Sequence, residues 1–440
     1  MELGMTKVLF FFLPLFILLG CSTPTPVTYN YSQSASNCSS NNKSECTPKN
    51  IVIFFDGTAN DETSRTNVKE MESLLHLYGK GNYASFYVEG VGVGGKIIGG
   101  TTGWGAAYRI RQAYTYLLNN HNPGDKIYIF GFSRGAYQAR ILTSMIRFAG
   151  IPDVETLNVS SSKAADEIYS SYKGKFEPES KRKDEVYKTL NQLGAELPDY
   201  DNPIKITALG LWDTVEAYGW LDGEDNVDEP NNRYGDQLCN VENAFHAVSL
   251  DDNRATVFTP LLLTRKHLIQ ECSEQQKVDL NLKEVWFSGA HSDVGGGYNQ
   301  SRMNASSLKW MLSELTDETN FTEQPLFPSF VADINTSVLD TSHNPRSTWY
   351  FRLAYKYQPR TPVKYFNQEN STQPDLIYIH RSVLERITQC NNKSASCAFK
   401  AAHELDLNKE FGQCFTYDET RGQFDVAADI ESCKIRIIEW

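Results

Sequence analysis

The sequence predicts an α/β fold in which helices cover both faces of a mostly parallel central sheet. Several short apolar runs are continuous rather than alternating, which is typical of strands buried on both faces. Stretches with helical periodicity separate these runs, and this alternation favours an open parallel sheet. The chain has 440 residues, of which 40% are hydrophobic. That is enough apolar side chain to build one large core on such a sheet.

The predicted strands and helices follow one another along residues 49–300. Buried strands are predicted at 51–55, 83–90, 126–132, 205–212 and 284–290. Helices are predicted at 67–79, 104–120 and 137–150. The stretch 243–258 is also expected to be helical, with His246 in the core or in a supporting role.

Two segments interrupt or follow this alternation. Residues 152–200 are polar and helical in character, and they predict a small helical insertion that serves as a cap or a lid. From residue 301 the pattern loosens into mixed helix, strand and loop. We therefore expect 301–440 to be a C-terminal extension that packs on the core and carries disulfides.

Residues 1–20 have the features of a secretory signal peptide. Lys7 precedes an apolar run at 8–20, which is too short to cross a membrane comfortably. The motif "LLGC" ends at Cys21 and resembles a bacterial lipobox, in which cleavage leaves the cysteine as the lipid-bearing first residue. An ordinary cleaved signal followed by an incidental cysteine is the alternative.

The segment 21–48 is rich in Ser, Thr, Asn and Pro, and it predicts a flexible tether behind a lipid anchor at Cys21. Ser22, rather than an aspartate, follows that cysteine and favours outer-membrane sorting in a Gram-negative cell. We expect a location in the bacterial cell envelope, facing the periplasm or the exterior. The membrane is then a partner, whereas the net charge of -12 argues against nucleic acid.

Eight cysteines remain after Cys21, and an even number in an exported chain favours disulfides. We expect four local bridges between neighbours along the chain, although the sequence alone does not fix the pairing. The spacings do not match those of zinc sites, and neither a metal nor a cofactor is expected. The expected bridges are Cys38–Cys46, Cys239–Cys272, Cys390–Cys397 and Cys414–Cys433.

The stretch "FGFSRGAY" at 130–137 places a serine between two glycines, after a predicted strand and before a predicted helix. This arrangement is the nucleophile elbow of α/β-hydrolases, which exposes the serine hydroxyl on a strained turn. Side chains at Gly131 or Gly135 would collide with the adjoining strand and helix. Ser133 is therefore the candidate nucleophile, and the N–H of Arg134 is a candidate oxyanion donor. An ordinary strand-to-helix turn is the alternative.

A nucleophilic serine needs a base, and the base needs an orienting acid, which follow in the order acid then histidine in this fold. Asp213 and His291 each follow a predicted strand, and they are the candidate acid and base. For Asp213, a role as a helix N-cap or turn residue is the alternative. His380 is the second candidate for the base, and a metal site at His291 and Asp293 is a further alternative.

The loop after the first predicted strand lies next to the elbow in this fold. The N–H of Gly57 or Thr58 in this loop is expected to complete the oxyanion hole. Asp56 precedes these residues, and the sequence leaves three roles open for it: binding a cation, hydrogen-bonding the loop, or capping the turn.

Five motifs occur in order over about residues 50–300: "FFDGTAND", "GVGVGG", "PGDKIYIFGFSRGAYQAR", "LGLWDTV" and "WFSGAHSDVGGGY". Together they resemble an α/β-hydrolase family long classed as a domain of unknown function. Its best-understood bacterial members are the first family of type VI secretion lipase effectors, which are phospholipases. The resemblance implies a Ser-Asp-His triad at Ser133, Asp213 and His291. It also implies hydrolysis of phospholipid esters through an acyl-enzyme, and it admits a cognate inhibitor protein as a partner.

The chain departs from the secreted effectors of that family in two respects. It begins with a lipoprotein-like signal, and it carries only a modest insertion and a cysteine-bearing tail. A resident envelope lipase is therefore an alternative to an effector delivered to rivals. An esterase on non-lipid esters and an inactive hydrolase-fold lipoprotein that binds a partner or a lipid also stay open. The presence of Ser133, Asp213 and His291 together favours an enzyme.

Overall fold

A nine-stranded sheet forms the centre of the protein in a computed structural model. The structure describes residues 27–31, 47–57, 60, 63–90, 103–176, 178, 180–216, 233–254, 258–270, 272, 279–298, 302–317, 321, 325–347, 352, 356–358, 360, 362, 377–391, 415–418, 423–426 and 435–440. The predicted signal peptide with Cys21 and most of the glycine-rich stretch 89–95 lie outside these ranges.

The continuous apolar runs form the middle of the sheet, as predicted. The strands are β1 (Val27–Tyr31), β2 (Asn50–Phe55), β3 (Tyr83–Val88), β4 (Lys126–Phe132), β5 (Ile206–Trp212), β6 (Val241–Ser249), β7 (Asn281–Phe287), β8 (Ile377–His380), β9 (Phe415–Asp418), β10 (Gln423–Val426) and β11 (Ile435–Ile438). Their order in the sheet is β1-β3-β2-β4-β5-β6-β7-β8-β11, while β9 and β10 form a separate antiparallel pair. Every pair from β3 to β11 is parallel, and only β1 runs antiparallel, on β3. The predicted α/β class with a mostly parallel sheet is confirmed.

Helices cover both faces of this sheet, and each face has its own apolar core. One face carries α2 (Gly103–Asn120), α3 (Arg134–Ala149), α4 (Ser161–Tyr172) and α5 (Ser180–Leu193); the other carries α1 (Asn67–Tyr78) and α8 (Asn304–Thr316). In β2, Ile51 and Ile53 enter the first core, and Val52 and Phe54 enter the second. Both faces of the strand are buried, since successive side chains point to opposite sides. This burial explains why the run has no polar alternation.

The remaining short elements lie in the second half of the chain. They are α6 (His267–Gln270), α7 (His291–Gly295), a 3₁₀ helix (Ser329–Ala332) and α9 (Arg381–Asn391). Within the described ranges, no helix has the length and apolar character needed to cross a membrane.

The insertion at 152–200 folds as α4 and α5, in agreement with its predicted helical character. α4 packs on α2, and α5 packs on both α4 and α3. Ala164, Ala165 and Ile168 are buried at these contacts. The insertion therefore thickens the helical layer on this face of the sheet.

The helix predicted at 243–258 is wrong. Val241–Ser249 forms β6, which pairs in parallel with β5 on one side and β7 on the other. The apolar pattern in this stretch fits a buried helix and a buried strand equally well, so periodicity alone does not decide between them. The two neighbouring strands decide, because their backbone groups need partners along the whole length of β6.

The two ends of the chain contribute to the same sheet. β8 and β11, both from the C-terminal extension, continue the parallel order beyond β7. Val27–Tyr31, inside the segment expected to be a flexible tether, forms an edge strand on β3. Its sequence, VTYNY, is rich in β-branched and aromatic residues, which favour pairing in a sheet.

The Cys239–Cys272 disulfide is present, as predicted. It joins the residues before β6 to the residues after α6 across 33 positions of the chain. Each of the other three predicted bridges includes a residue outside the described ranges.

We expect loss of the Cys239–Cys272 bridge to lower the free energy of unfolding by about 2–4 kcal/mol, because the unfolded chain gains loop entropy. Urea denaturation of oxidised wild type and of the Cys239→Ala/Cys272→Ala variant measures the difference. A non-reducing peptide map that finds either thiol free in the wild type would contradict the bridge itself.

Candidate active site

The candidate residues lie at the carboxyl end of the parallel strands. Asp56 follows β2, Ser133 follows β4, Asp213 follows β5 and His291 follows β7. Because the strands are parallel and adjacent, these chain positions meet at one edge of the sheet. The fold therefore brings together residues that are up to 235 positions apart in the chain.

Ser133 occupies a strained turn between β4 and α3. Its backbone has φ 60° and ψ -126°, a region that L-residues rarely adopt. A Cβ at Gly131 would lie 2.6 Å from Cα of Ala136, and a Cβ at Gly135 would strike the carbonyl oxygen of Phe55. Both glycines are thus needed for the close approach of α3 to β4 and β2.

A continuous chain of hydrogen bonds links the serine, the histidine and the aspartate. His291 Nε2 lies 2.7 Å from Ser133 Oγ, and His291 Nδ1 lies 2.5 Å from Asp213 Oδ2. All three residues are buried, with at most 5% of their surface exposed. The aspartate accepts from Nδ1, which leaves Nε2 of a neutral imidazole to accept the serine proton.

Two aromatic rings hold the imidazole of His291. The ring of Phe132, the last residue of β4, lies 4.7 Å from it between centroids. The ring of Phe258 meets it edge to face at 5.0 Å. These contacts restrict the orientation of the imidazole and exclude water from its sides.

Asp213 is surrounded by hydrogen-bond donors. Arg360 donates from Nη1 to Oδ1 at 2.5 Å and from Nη2 to Oδ2 at 3.1 Å. The N–H of Ser249 donates to Oδ1 at 2.8 Å. Burial alone would raise the pKa of Asp213, but the Arg360 charge and the His291 hydrogen bond outweigh it and hold this pKa well below its usual range. Asp213 is therefore ionised in the folded protein.

A second ion pair lies beside His291. Asp252 accepts from Arg254 at Nε (3.0 Å) and at Nη2 (2.6 Å), and also from the backbone N–H of His291 at 3.2 Å. Burial would raise the pKa of Asp252, but the charge and hydrogen bonds of Arg254, together with the charges of Arg360 and His291, lower it below its usual value. The guanidinium of Arg254 lies 3.2 Å from the centre of the Phe258 ring. The pair thus anchors both the backbone and one aromatic neighbour of His291.

Burial lowers the pKa of His291, and the neighbouring carboxylate of Asp213 only partly opposes this effect. Arg254 adds to the lowering, and Asp252 opposes it. His291 is therefore neutral around pH 7, as a general base must be at the start of a reaction.

Asp56 holds the loop after β2. Its Oδ1 accepts the Gly57 N–H at 2.6 Å, and its Oδ2 accepts from Thr66 Oγ1 at 2.7 Å and from Tyr87 Oη at 2.6 Å. Of the three roles that the sequence left open, the structure places Asp56 in hydrogen bonds with the loop. Gly57, one of the two predicted oxyanion donors, directs its N–H to this carboxylate; the other, Thr58, lies outside the described residues.

His246 and Glu284 support the loop after β5 from inside the sheet. The N–H of Thr214 donates to His246 Nε2 at 3.1 Å, and His246 Nδ1 lies 2.8 Å from Glu284 Oε2. Burial would raise the pKa of Glu284, but the hydrogen bonds from His246 and the Leu263 N–H lower it. His246 is thus a supporting residue next to Asp213, as predicted for it.

His380, the second candidate for the base, lies elsewhere. It follows β8, stacks on Phe287 at 4.6 Å, and contacts Ser382 and Trp440. Burial lowers its pKa to about 3, so it is neutral at physiological pH. The structure therefore gives His380 packing contacts and no hydrogen bond to Ser133.

Asp293, the predicted companion of His291 in a metal site, is used in local hydrogen bonds. It accepts from the N–H of Ala290 at 3.0 Å, from the N–H of His343 at 2.9 Å and from His343 Nδ1 at 2.7 Å. Among the residues that the structure describes, no group of three or more His, Cys, Asp or Glu side chains is placed to hold a metal ion.

A family model described as "T6SS, Phospholipase effector Tle1-like, catalytic domain" matches residues 49–314, which is more than half of the chain. The chain belongs to this family. The matched residues include β2 to β7, the elbow, Asp213 and His291, so the family domain contains the whole hydrogen-bonded chain. The suspected relationship to type VI phospholipase effectors is confirmed.

Relatives of the chain are distant. An uncharacterized protein of Saccharomyces cerevisiae is 28% identical over 261 residues, which are 51% of this chain and 36% of that protein. The chain thus spans about a third of the length of this curated relative.

Two solved structures are similar at low sequence identity. A crystal structure of an uncharacterized protein from Pseudomonas aeruginosa is 18% identical, with a TM-score of 0.39 over 67% of this chain and 50% of that one. The Tle1 effector bound to the VgrG spike of the type VI secretion system is 19% identical, with a TM-score of 0.30 over 58% and 53% of the two chains.

Three residues of the site were missed by sequence reasoning: Asp252, Arg254 and Arg360. The first two lie in the stretch mistaken for a helix, where "DDNR" after an apolar run is a signal for a strand end. Arg360 lies beyond the family segment 49–314. The chain has 42 lysines and arginines, and nothing in the sequence around Arg360 distinguishes it from the others.

Asp56 predicts a pH dependence of stability. Burial raises its pKa to about 6 from the model-peptide value of 3.8, against the hydrogen bonds that lower it. The folded state therefore binds this proton more tightly than the unfolded state. The resulting stabilisation is complete below pH 4 and is lost as the pH rises through about 6.

The Asp56 proton contributes to a fall in the free energy of unfolding of the wild type between pH 4 and pH 6. In the Asp56→Asn variant we expect this fall to be smaller by roughly 2–3 kcal/mol. Urea unfolding of the two proteins at a series of pH values measures this. Asp201→Asn, on the surface, is the control and should follow the wild type. A constant difference between wild type and Asp56→Asn over this range would refute the assignment.

Proposed function

We propose that the protein is a serine hydrolase that cleaves carboxylic esters, with phospholipid acyl esters as its substrates. The observation that carries this proposal is the unbroken chain of hydrogen bonds from Ser133 through His291 to Asp213. Membership of the phospholipase effector family supports the lipid substrate. A serine on a strained turn, hydrogen-bonded to a histidine that is in turn hydrogen-bonded to an aspartate, is an arrangement suited to nucleophilic acyl transfer.

In the proposed reaction, Ser133 Oγ attacks the ester carbonyl while His291 Nε2 takes its proton. The imidazolium then gives this proton to the leaving alcohol, and an acyl-enzyme remains. Water, activated by His291 in the same way, releases the fatty acid. Asp213, ionised throughout, keeps Nδ1 protonated and stabilises the imidazolium.

The oxyanion of each tetrahedral intermediate needs two N–H donors. The N–H of Arg134, the first residue of α3, is the proposed first donor, at a helix N-terminus that favours negative charge. Since the Gly57 N–H is directed to Asp56, Thr58 is the preferred second donor of the predicted pair. Asp56 then acts by fixing the start of this loop.

The Ser133→Ala and His291→Ala variants should each have a kcat about a thousandfold or more below that of the wild type. Because the two residues act as a unit, the double variant should be little less active than either single variant. Asp213→Asn should cost somewhat less. Release of fatty acid from phospholipid vesicles and hydrolysis of short-chain esters are the measurements, together with fluorophosphonate labelling of Ser133.

His380→Gln is the matched control, because it alters another buried histidine at a strand end and should keep most of the activity. Near-normal activity of His291→Ala with loss of activity in His380→Gln would reverse the assignment of the base. Labelling of Ser133 with turnover of short-chain esters only would favour an esterase on non-lipid esters. No labelling of the folded protein would favour an inactive lipid- or partner-binding lipoprotein.

We also propose that Cys21 carries a lipid that attaches the enzyme to the bacterial envelope. The motif "LLGC" after an apolar run supports this, and a membrane-bound hydrolase would have its substrate in the same bilayer. If the protein is an effector, the producing cell also needs a cognate inhibitor protein against it, and we include such a partner in the proposal.

Cys21→Ser should abolish incorporation of radiolabelled fatty acid and release the protein from the membrane fraction, while hydrolysis of soluble esters is retained. Fractionation and metabolic labelling of the producing cells test this. If the variant still fractionates with membranes and still incorporates label, the lipoprotein proposal fails.

A further inference from the structure

Arg360 reaches the site from outside the segment that matches the catalytic family. It lies in the C-terminal extension, 147 positions from Asp213, and is only 4% exposed. Besides its two hydrogen bonds to the Asp213 carboxylate, it donates to the carbonyl oxygens of Ser249 and Phe258, each at 2.6 Å. One guanidinium thus joins the loops after β5 and β6 and the segment that carries the Phe258 ring.

The geometry of this contact restricts the aspartate strongly. A planar guanidinium that donates two parallel hydrogen bonds to a carboxylate fixes both its position and its plane. Since His291 Nδ1 donates to the same Oδ2 that accepts from Arg360 Nη2, the plane of the carboxylate sets the direction of the His291 ring. Any shift of Arg360 would therefore reach Ser133 through three successive hydrogen bonds, by way of Asp213 and His291.

Two carboxylates around His291 are each paired with an arginine. From the loop after β5 comes Asp213, paired with Arg360, and from the loop after β6 comes Asp252, paired with Arg254. On α7 itself, the Asp293 carboxylate lies 2.7 Å from Nδ1 of His343. Each of the two carboxylates that accept a hydrogen bond from His291, those of Asp213 and Asp252, is therefore offset by a guanidinium, in contrast to a triad whose aspartate is paired with neutral donors only.

We infer that Arg360 is a positioning residue of the proposed triad, which fixes the Asp213 carboxylate and balances its charge so that His291 stays a neutral base in mildly acidic surroundings. This inference rests on the proposed function. It also assigns the C-terminal extension to the active unit: the family domain contains the reacting groups, and the extension holds the acid in place.

The balance has a chemical consequence. Asp213 stabilises the imidazolium of His291, and the Arg360 charge reduces that stabilisation. A unit charge one carboxylate away, at an effective dielectric constant of about 20, changes a pKa by about one to two units. Removing the charge of Arg360 should therefore raise the pKa of His291 and shift the acid limb of kcat/KM to higher pH.

The test compares Arg360→Gln, Arg360→Lys and wild type in the full chain. The pKa of His291 is followed by NMR of protein labelled with ¹⁵N-histidine, and the His291→Gln variant assigns its signal among the eight histidines. The pH profile of kcat/KM on a short-chain ester is measured in parallel. Arg352→Gln, an exposed arginine of the same extension, is the control.

We expect Arg360→Gln to raise the pKa of His291 and the acid limb by about one unit or more, and to lower the plateau of kcat/KM at least about tenfold. Arg360→Lys keeps the positive charge but loses the two parallel hydrogen bonds of the guanidinium. The acid limb of its kcat/KM profile should therefore stay close to that of the wild type, while the plateau value of kcat/KM falls. Arg352→Gln should match the wild type in both measurements.

A folded Arg360→Gln protein with an unchanged His291 pKa would overturn the inference, because a merely structural arginine would leave the pKa in place. If Arg360→Gln does not fold, a His291 pKa above about 6.5 in the wild type would overturn it as well. The NMR titration needs no turnover. A wild type that hydrolyses no ester therefore refutes the proposed function, and an unmoved titration refutes the role of Arg360.

Discussion

The negative charge of Asp213 in the interior of the protein is the constraint on which the site depends. An ionised carboxylate without partners is very unfavourable in a buried position. Here Arg360, the N–H of Ser249 and His291 satisfy both of its oxygens. Each donor comes from a different part of the chain, so the buried charge is compensated only when the loops after β6 and β7 and the C-terminal extension are all in place. The charge therefore couples the assembly of the site to the completion of the fold.

The parallel sheet provides the frame for this assembly. Within the described central sheet, all strands except β1 run in one direction, so their carboxyl ends form a single edge at which the loops meet. The loop after β6 holds the loop after β7 through Asp251 and Asp252, which accept the backbone N–H groups of Gly289 and His291. Much of the polar chemistry near the proposed triad thus serves to fix the backbone, and the aromatic rings on His291 keep the site dry. Such rigid support is what a preorganised acyl-transfer site needs.

With the proposed role of Arg360, the functional unit extends beyond the family domain into the C-terminal extension. The family domain covers residues 49–314 and contains the proposed nucleophile, acid and base. The sheet, however, continues with β8 and β11, and the arginine that contacts the acid lies at 360. The extension is therefore both part of the core and part of the site. The proposed triad lies within the family domain, whereas the arginine that contacts its aspartate lies outside this domain.

The sequence by itself determined the features that local physics controls. The elbow at Ser133 was predictable because the strand, the two glycines and the helix are consecutive, and Asp213 and His291 were predictable because each follows a buried apolar run. The identity of β6 was not, since a continuous apolar run fits a strand and a helix alike until its neighbours in the sheet are known. Arg360 had no local signal at all, because its partner lies 147 residues away and only tertiary packing brings the two charges together. Short-range patterns therefore indicated the proposed catalytic residues, whereas long-range contacts decided how their side chains are held and how their charges are compensated.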